Sequence, residues 1–245
     1  MSGTLYAGTS GFAYPDWSPR FYPSGSRGDA LLPLYAARLT ACELNNTYYR
    51  QPTPERIDAW VGATPEHFRF TVKAQRGGSI RALTGDPVET LAWLLRPLQS
   101  FGRRLGSVLY RVPQEIERDD GRLDRLLAAW PPGVALTFEF QHPSWHVDEV
   151  FGCLRAFGAA LCATDRDEDE EPPALRLTGP FLYLRLRRSA YTAEELAGWA
   201  ARLGPFLDAG TDVFVFFRHD ADGTSAERAE ELSRNVDRQR GAVGV

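Results

Sequence analysis

Lysine is almost missing from this chain. Of its 28 Lys and Arg residues, one is a lysine, Lys73. Against an Arg-rich background that residue is a candidate for work arginine cannot do, because a desolvated ammonium can lose its proton and a guanidinium effectively cannot. Cysteine is scarce too. Cys42, Cys153 and Cys162 are odd in number, lack metal-site spacing and lie in apolar periodic runs, so they read as buried free thiols in a reducing compartment. No apolar run approaches membrane-spanning length, which argues against a membrane partner. Met1-Ser2-Gly3-Thr4-Leu5 lacks the basic and apolar regions of a signal peptide, so a soluble, cytoplasmic protein is expected. A basic excess is also lacking: the net charge is −4, a poor overall surface for wrapping nucleic acid. No Gly-rich phosphate turn follows the first strand-like segment, which disfavours an open dinucleotide-binding sheet.

What the chain does have is regular alternation of strand and helix signals. Strand-like stretches are Leu5–Ser10, Ala41–Tyr49, Phe68–Lys73, Gly106–Val112, Val134–Gln141, Ala159–Thr164, Phe181–Arg188 and Val213–Phe217. Helices are expected over Asp29–Leu39 with Asp29 as N-cap, from Thr53-Pro54 onward, and over Pro87–Phe101, Leu123–Trp130, Val147–Phe157, Thr192–Leu207 and Ala226–Arg238. Thr192-Ala193-Glu194-Glu195 has the form of a capping box. Between the sixth and seventh strands runs an acidic stretch, Asp165 to Glu171, then Pro172-Pro173, read as an irregular loop in place of the sixth helix. No linker divides the chain. Eight βα units in 245 residues predict one domain over residues 1–245, an α/β (β/α)8 TIM-type barrel.

Strand side chains alternate between two faces. Cys42 and Leu44 share one face and Glu43 and Asn45 the other; Phe70 and Val72 oppose Thr71 and Lys73. Phe138 and Phe140 oppose Glu139 and Gln141, and Leu182, Leu184 and Leu186 oppose Tyr183, Arg185 and Arg187. In such a barrel, functional groups gather at the C-terminal strand ends. Those arriving there include Ser10, Glu43, Asn45, Lys73, Arg111, Glu139, Asp165, Arg185, Arg187 and Arg218.

That set admits two readings. The charges could pair off as an ion network filling the lumen. Or they form a pocket for a small polar or anionic ligand bearing phosphate or carboxylate. In that pocket Glu139, Glu43, Lys73 and Asp165 are the catalytic candidates for general acid/base work, with the two glutamates expected to separate in pKa and divide the roles. Arg185, Arg187 and Arg218, with Ser10, Asn45, Tyr49 and Trp145, are the binding candidates. A Schiff-base role for Lys73 is the weaker chemical alternative.

Several motifs are distinctive. Gly8-Thr9-Ser10-Gly11-Phe12 with Tyr14, Trp17 and Phe21-Tyr22-Pro23 forms the first. Glu43-Leu44-Asn45-Asn46-Thr47-Tyr48-Tyr49, Phe68 to Lys73, Phe138-Glu139 with His142-Pro143-Ser144-Trp145, and Tyr183-Leu184-Arg185 follow in order. Together they resemble the YecE-like family, a TIM-barrel domain of unknown function. The resemblance implies the barrel fold and points to Glu43, Asn45, Tyr49, Lys73, Glu139, Trp145, Asp165 and Arg185. This chain departs from it at Gln141, where the family often has Arg, and at Phe217-Arg218-His219-Asp220, where strand eight would end with an Asn.

No organic cofactor is implied. A metal reading would draw on His142, His146 and His219 with Glu139 and Asp165, but Pro143 places the first pair on a loop, and satisfied loop histidines are the favoured alternative. Loop aromatics (Phe12, Tyr14, Trp17, Tyr22, Tyr48, Tyr49 and Trp145) read either as a packed lid or as a stacking platform for a sugar or base. The leading functional expectation is an enzyme of the hydrolase or lyase/isomerase type. The alternatives are a nucleic-acid or nucleotide binder or phosphodiesterase, and a non-catalytic ligand-binding barrel.

Overall fold

The computed structural model describes residues 2–243. Eight strands pair in sequence order as a closed parallel barrel: β1 (Leu5–Ser10), β2 (Ala41–Leu44), β3 (Arg69–Lys73), β4 (Leu105–Val112), β5 (Leu136–Phe140), β6 (Ala160–Asp165), β7 (Phe181–Leu186) and β8 (Asp212–Phe217). Closure comes from β8 pairing with β1, Leu5 opposite Val213 through Thr9 opposite Phe217. Outside lie α1 (Leu31–Ala36), α2 (Pro54–Gly62), α3 (Arg76–Thr84), α4 (Pro87–Leu95), α5 (Asp120–Ala129), α6 (Asp148–Phe157), α7 (Ala193–Asp208) and α8 (Thr224–Val243). The TIM-type barrel read from the alternation is the observed fold.

The period-two pattern explains which side chain goes where. In β7, Leu182, Leu184 and Leu186 join the core under the helices, while Phe181 and Tyr183 face the lumen. Each buried leucine contributes about 1.5–3 kcal/mol relative to exposure, so a one-residue slip of this strand is strongly disfavoured. Gly8 serves closeness: a Cβ there would lie 1.8 Å from the Ala41 carbonyl oxygen, so glycine lets β1 and β2 approach.

Helix caps follow the sequence in two places. Thr53 accepts from the Arg56 amide with Pro54 in the first turn, and Thr192 and Glu195 form the complete capping box of α7. The acidic segment after β6 carries no helix.

Other expectations need correction. Asp29 is not a cap; it sits inside a 3-10 turn, Gly28–Ala30, that precedes a shorter α1. The helix read over Pro87–Phe101 stops at Leu95, and Pro97, lacking an amide hydrogen, begins a separate 3-10 stretch. Helix α3 gives no helix signal in the sequence, because Gly77-Gly78 fall in its first turn. Gly78 is required by packing, since a Cβ would come 2.6 Å from Leu94 of α4. Strand β7 ends at Leu186, not Arg188. Cys42 and Cys162 are buried free thiols as expected, but Cys153 is only half-buried.

Candidate functional site

The lower lumen is apolar. Tyr6 stacks on Phe214 at 4.7 Å between ring centroids, and Phe181, Tyr183, Phe216, Leu109 and Cys162 complete this plug. It gives the polar groups above it a low-dielectric floor.

Register then decides which groups meet. Ser10 lies opposite Glu43, Arg111 opposite Glu139, and Thr164 opposite Arg185. Arg185 spans the lumen: Nη2 donates to Glu43 Oε1 at 2.8 Å and Nη1 to Glu139 Oε1 at 2.6 Å. Glu43 Oε1 also accepts from Ser10 Oγ at 2.9 Å and Asn45 Nδ2 at 3.2 Å, and Glu43 Oε2 accepts from Tyr183 OH at 2.8 Å.

Both glutamates are held ionised. Burial alone would raise the Glu43 pKa, but Arg185, Tyr183 and Ser10 outweigh it and bring it below the usual range. Burial likewise opposes ionisation of Glu139, yet Arg185, Arg111 and Lys73 lower it to about 2. The expected split between a protonated and an ionised glutamate is therefore not what the site presents. Each carboxylate has a guanidinium close enough to fix its charge.

Lys73 differs. Its side chain is buried, with Nζ over the Tyr48 ring at 4.1 Å from the centroid. No hydrogen bond or ion pair supports it among the described residues. Burial, reinforced by Arg185 and Arg111 against the pull of Glu139 and Glu43, lowers its pKa to about 8. Arg187, half-buried just past β7, also lacks a paired carboxylate among the described residues; burial and then Arg185 lower its pKa. The cluster thus sets four cations (Lys73, Arg111, Arg185 and Arg187) against two carboxylates (Glu43 and Glu139).

Hydrogen bonding is incomplete as well. Of seven buried side-chain polar atoms without a partner among the described residues, five line this lumen: Asn45 Oδ1, Thr71 Oγ1, Arg111 Nε, Glu139 Oε2 and Arg185 Nε. Arg111 Nε and Glu139 Oε2 approach to 3.4 Å, an ion pair whose geometry makes no hydrogen bond. Buried polar groups are normally paired, and a self-contained ion network would leave few such atoms here.

The remaining predicted residues lie elsewhere. Asp165 follows Thr164 on β6 and so takes the opposite face. It accepts from Arg188 Nε at 3.0 Å and Tyr191 OH at 2.8 Å beneath α7, away from Glu139. Trp145 is fully buried in the outer core, stacked on Phe140 at 4.7 Å and donating to the Ile116 carbonyl. Tyr49 is 81% exposed, and Arg218 is exposed at the rim, its backbone amide donating to the Leu186 carbonyl. The lumen therefore gathers Ser10, Glu43, Asn45, Lys73, Glu139 and Arg185, with Arg187 above them.

The histidines serve the loops. His142 Nδ1 bonds Ser144 Oγ at 2.8 Å, His146 Nε2 bonds the Phe140 carbonyl at 3.0 Å, and His219 stacks on Tyr14 at 5.0 Å. No group of three or more His, Cys, Asp or Glu residues able to hold a metal occurs among the described residues. The loop aromatics are mostly packed core: Trp17, Phe21 and Tyr22 are buried, and Trp17 Nε1 donates to the Asp220 carbonyl. Their burial leaves Tyr49 as the exposed ring of this group.

A family model described as protein of unknown function DUF72 matches residues 6–244. The chain belongs to the DUF72 family. It is similar to the UPF0759 protein YunF of Bacillus subtilis (strain 168), with 20% identity over 276 residues and 95% of both sequences covered. Among solved structures, a DUF72 family protein of Thermotoga maritima MSB8 is 25% identical, with a TM-score of 0.79 over 96% of this chain and 99% of that one. One from Enterococcus faecalis V583 is 18% identical, with a TM-score of 0.77 over 96% of each. The reading of a TIM barrel in a family of unknown function holds. No helix among the described residues of this DUF72 chain is long and apolar enough to cross a membrane.

The alternation alone brings Arg111 and Tyr183 of the DUF72 chain toward the lumen but assigns neither a role. Arg111 shares a face of β4 with Ser107 and Leu109, a signal weakened by the leucine between the two polar positions. Tyr183 was visible on the Arg185 face, but its bond to Glu43 joins residues 140 positions apart.

Proposed function

We propose that the barrel mouth is an active site for a small polar anion bearing phosphate or carboxylate, in which Lys73 is the proton-transfer group. The observation that carries this reading is the imbalance of four cations, two buried and two half-buried, against two buried carboxylates, with Lys73 and Arg187 making no salt bridge among the described residues. An anion entering there would supply the missing charge, and Arg presents paired donors to phosphate or carboxylate.

Roles follow from protonation. Glu43 and Glu139 are fixed carboxylates; they orient Arg185 and lack a proton to give. Lys73 exchanges protons near neutral pH, as acid/base chemistry requires. The reaction class is hydrolase or lyase/isomerase, with no organic cofactor. Nucleic-acid binding has less support, because the aromatic platform it needs is largely buried.

Calorimetry with inorganic phosphate and with succinate tests the pocket. Binding that weakens about tenfold in Arg187→Met, with Lys73 shielded from an amine reagent by the bound anion, is the expected result. Absence of binding at millimolar anion, or unchanged labelling of Lys73, overturns the reading. Binding without turnover of any phosphate ester or carboxylate offered would reduce it to a ligand-binding barrel.

A further inference from the structure

The orphaned atoms of the lumen are of two kinds. Arg111 Nε and Arg185 Nε are donors, and they face the same demand for an anion as Lys73 and Arg187. Glu139 Oε2 and Asn45 Oδ1 are acceptors, buried and without a hydrogen bond among the described residues, the Arg111 Nε ion pair at 3.4 Å being too poorly aligned to give Glu139 Oε2 one. Glu139 is ionised and so can only accept. An anion alone leaves those two oxygens unsatisfied and brings a like charge toward Glu139. A ligand that fills the whole site must carry hydrogen-bond donors beside its anionic group.

We infer that the ligand is a hydroxylated phosphate monoester, of the sugar- or polyol-phosphate class. Its phosphate meets Lys73 and Arg187, one hydroxyl donates to Glu139 Oε2, and a second donates to Asn45 Oδ1. Phosphate is favoured over a single carboxylate because the cluster carries two more cations than carboxylates, matching a dianion. The inference rests on the proposed anion site and adds to it the second half of the ligand. Buried polar groups give such a site its selectivity, because an analogue without the hydroxyl leaves them unpaired.

The test compares glycerol 3-phosphate with propyl phosphate, which keeps the phosphate and the carbon skeleton but has no hydroxyl. Calorimetry on the intact wild-type protein is expected to show glycerol 3-phosphate at least tenfold tighter. In Glu139→Gln, inorganic phosphate should bind as well or better, because a negative charge is gone, while the hydroxyl preference shrinks several-fold. A merely structural role for Glu139 would weaken both. Equal affinity of the two esters for the wild type, within threefold, overturns the inference and leaves the anion site standing. Failure of both esters and of inorganic phosphate to bind removes the anion site and the inference together. If Glu139→Gln does not fold, the wild-type comparison decides alone.

Discussion

Arg185 Nη1 lies 2.6 Å from Glu139 Oε1, and each side chain is 4% exposed. The same guanidinium holds Glu43 on the other side of the lumen at 2.8 Å. One residue of β7 thereby ties β2 to β5 through the centre of the barrel. Arg185→Met would leave two buried carboxylates without their main counter-charge. Removing one partner of a buried pair costs about 3–5 kcal/mol, so urea denaturation should show a loss of at least that order. A variant as stable as the wild type would mean the ion pairs do not hold the lumen together.

Acid stability should report the same carboxylates. The folded pKa of Glu139 is about 2, below the ordinary glutamate value near ~4.3. A depressed folded pKa contributes stability above the unfolded value, and that contribution fades as pH falls from about 4.3 toward 2. Glu43 acts in the same direction. The melting temperature of Glu139→Gln should therefore lie below the wild type at pH 7 and converge with it on acidification. A gap that stays constant from pH 7 to 3 would argue against this linkage.

Lys73 works with the opposite consequence. Its folded pKa of about 8 lies below the ordinary lysine value, so the protonated amine is disfavoured by folding. Below pH 8 the fold bears that cost in full. As pH rises from about 8 toward ~10.4 the unfolded chain holds the proton longer, and stability from this group increases. Lys73→Met should thus be more stable than the wild type at pH 7, on the order of 1–3 kcal/mol, with the advantage shrinking through that window. Because the chain has a single lysine, peptide mapping after amine labelling can follow it directly. Half-maximal reactivity is expected near pH 8, and a midpoint above pH 10 would contradict the buried position.

Asp165 and Trp145 should separate stability from binding. Asp165→Asn disturbs the bonds to Arg188 and Tyr191 and should cost about 1–3 kcal/mol. Trp145→Ala removes a fully buried ring and should cost about 3–5 kcal/mol. Neither residue faces the lumen, so affinity for inorganic phosphate should stay within twofold in the folded fraction of each variant. A tenfold loss in Asp165→Asn would place that carboxylate at the site after all.

The barrel and most of its lumen are legible in local pattern. Period-two alternation is a local property, and it carried Glu43, Lys73, Glu139 and Arg185 to the inner face because their neighbours Leu44, Val72, Phe138 and Leu184 had to be covered by helices. The same rule, applied to the last residue of β6, would have turned Asp165 outward; its nearness in sequence to a strand end hid that. Protonation and pairing depend on contacts between distant strands and have no local signal. Whether a glutamate is an acid or a fixed counter-ion depends on which guanidinium stands within about 3 Å of it, and Arg185 reaches Glu43 and Glu139 across the lumen from a strand far along the chain. Trp145 shows the same limit in packing. Its side chain was placed at the mouth by its loop, but an aromatic face finds its partner in three dimensions, and here that partner is Phe140 on the outer side of β5.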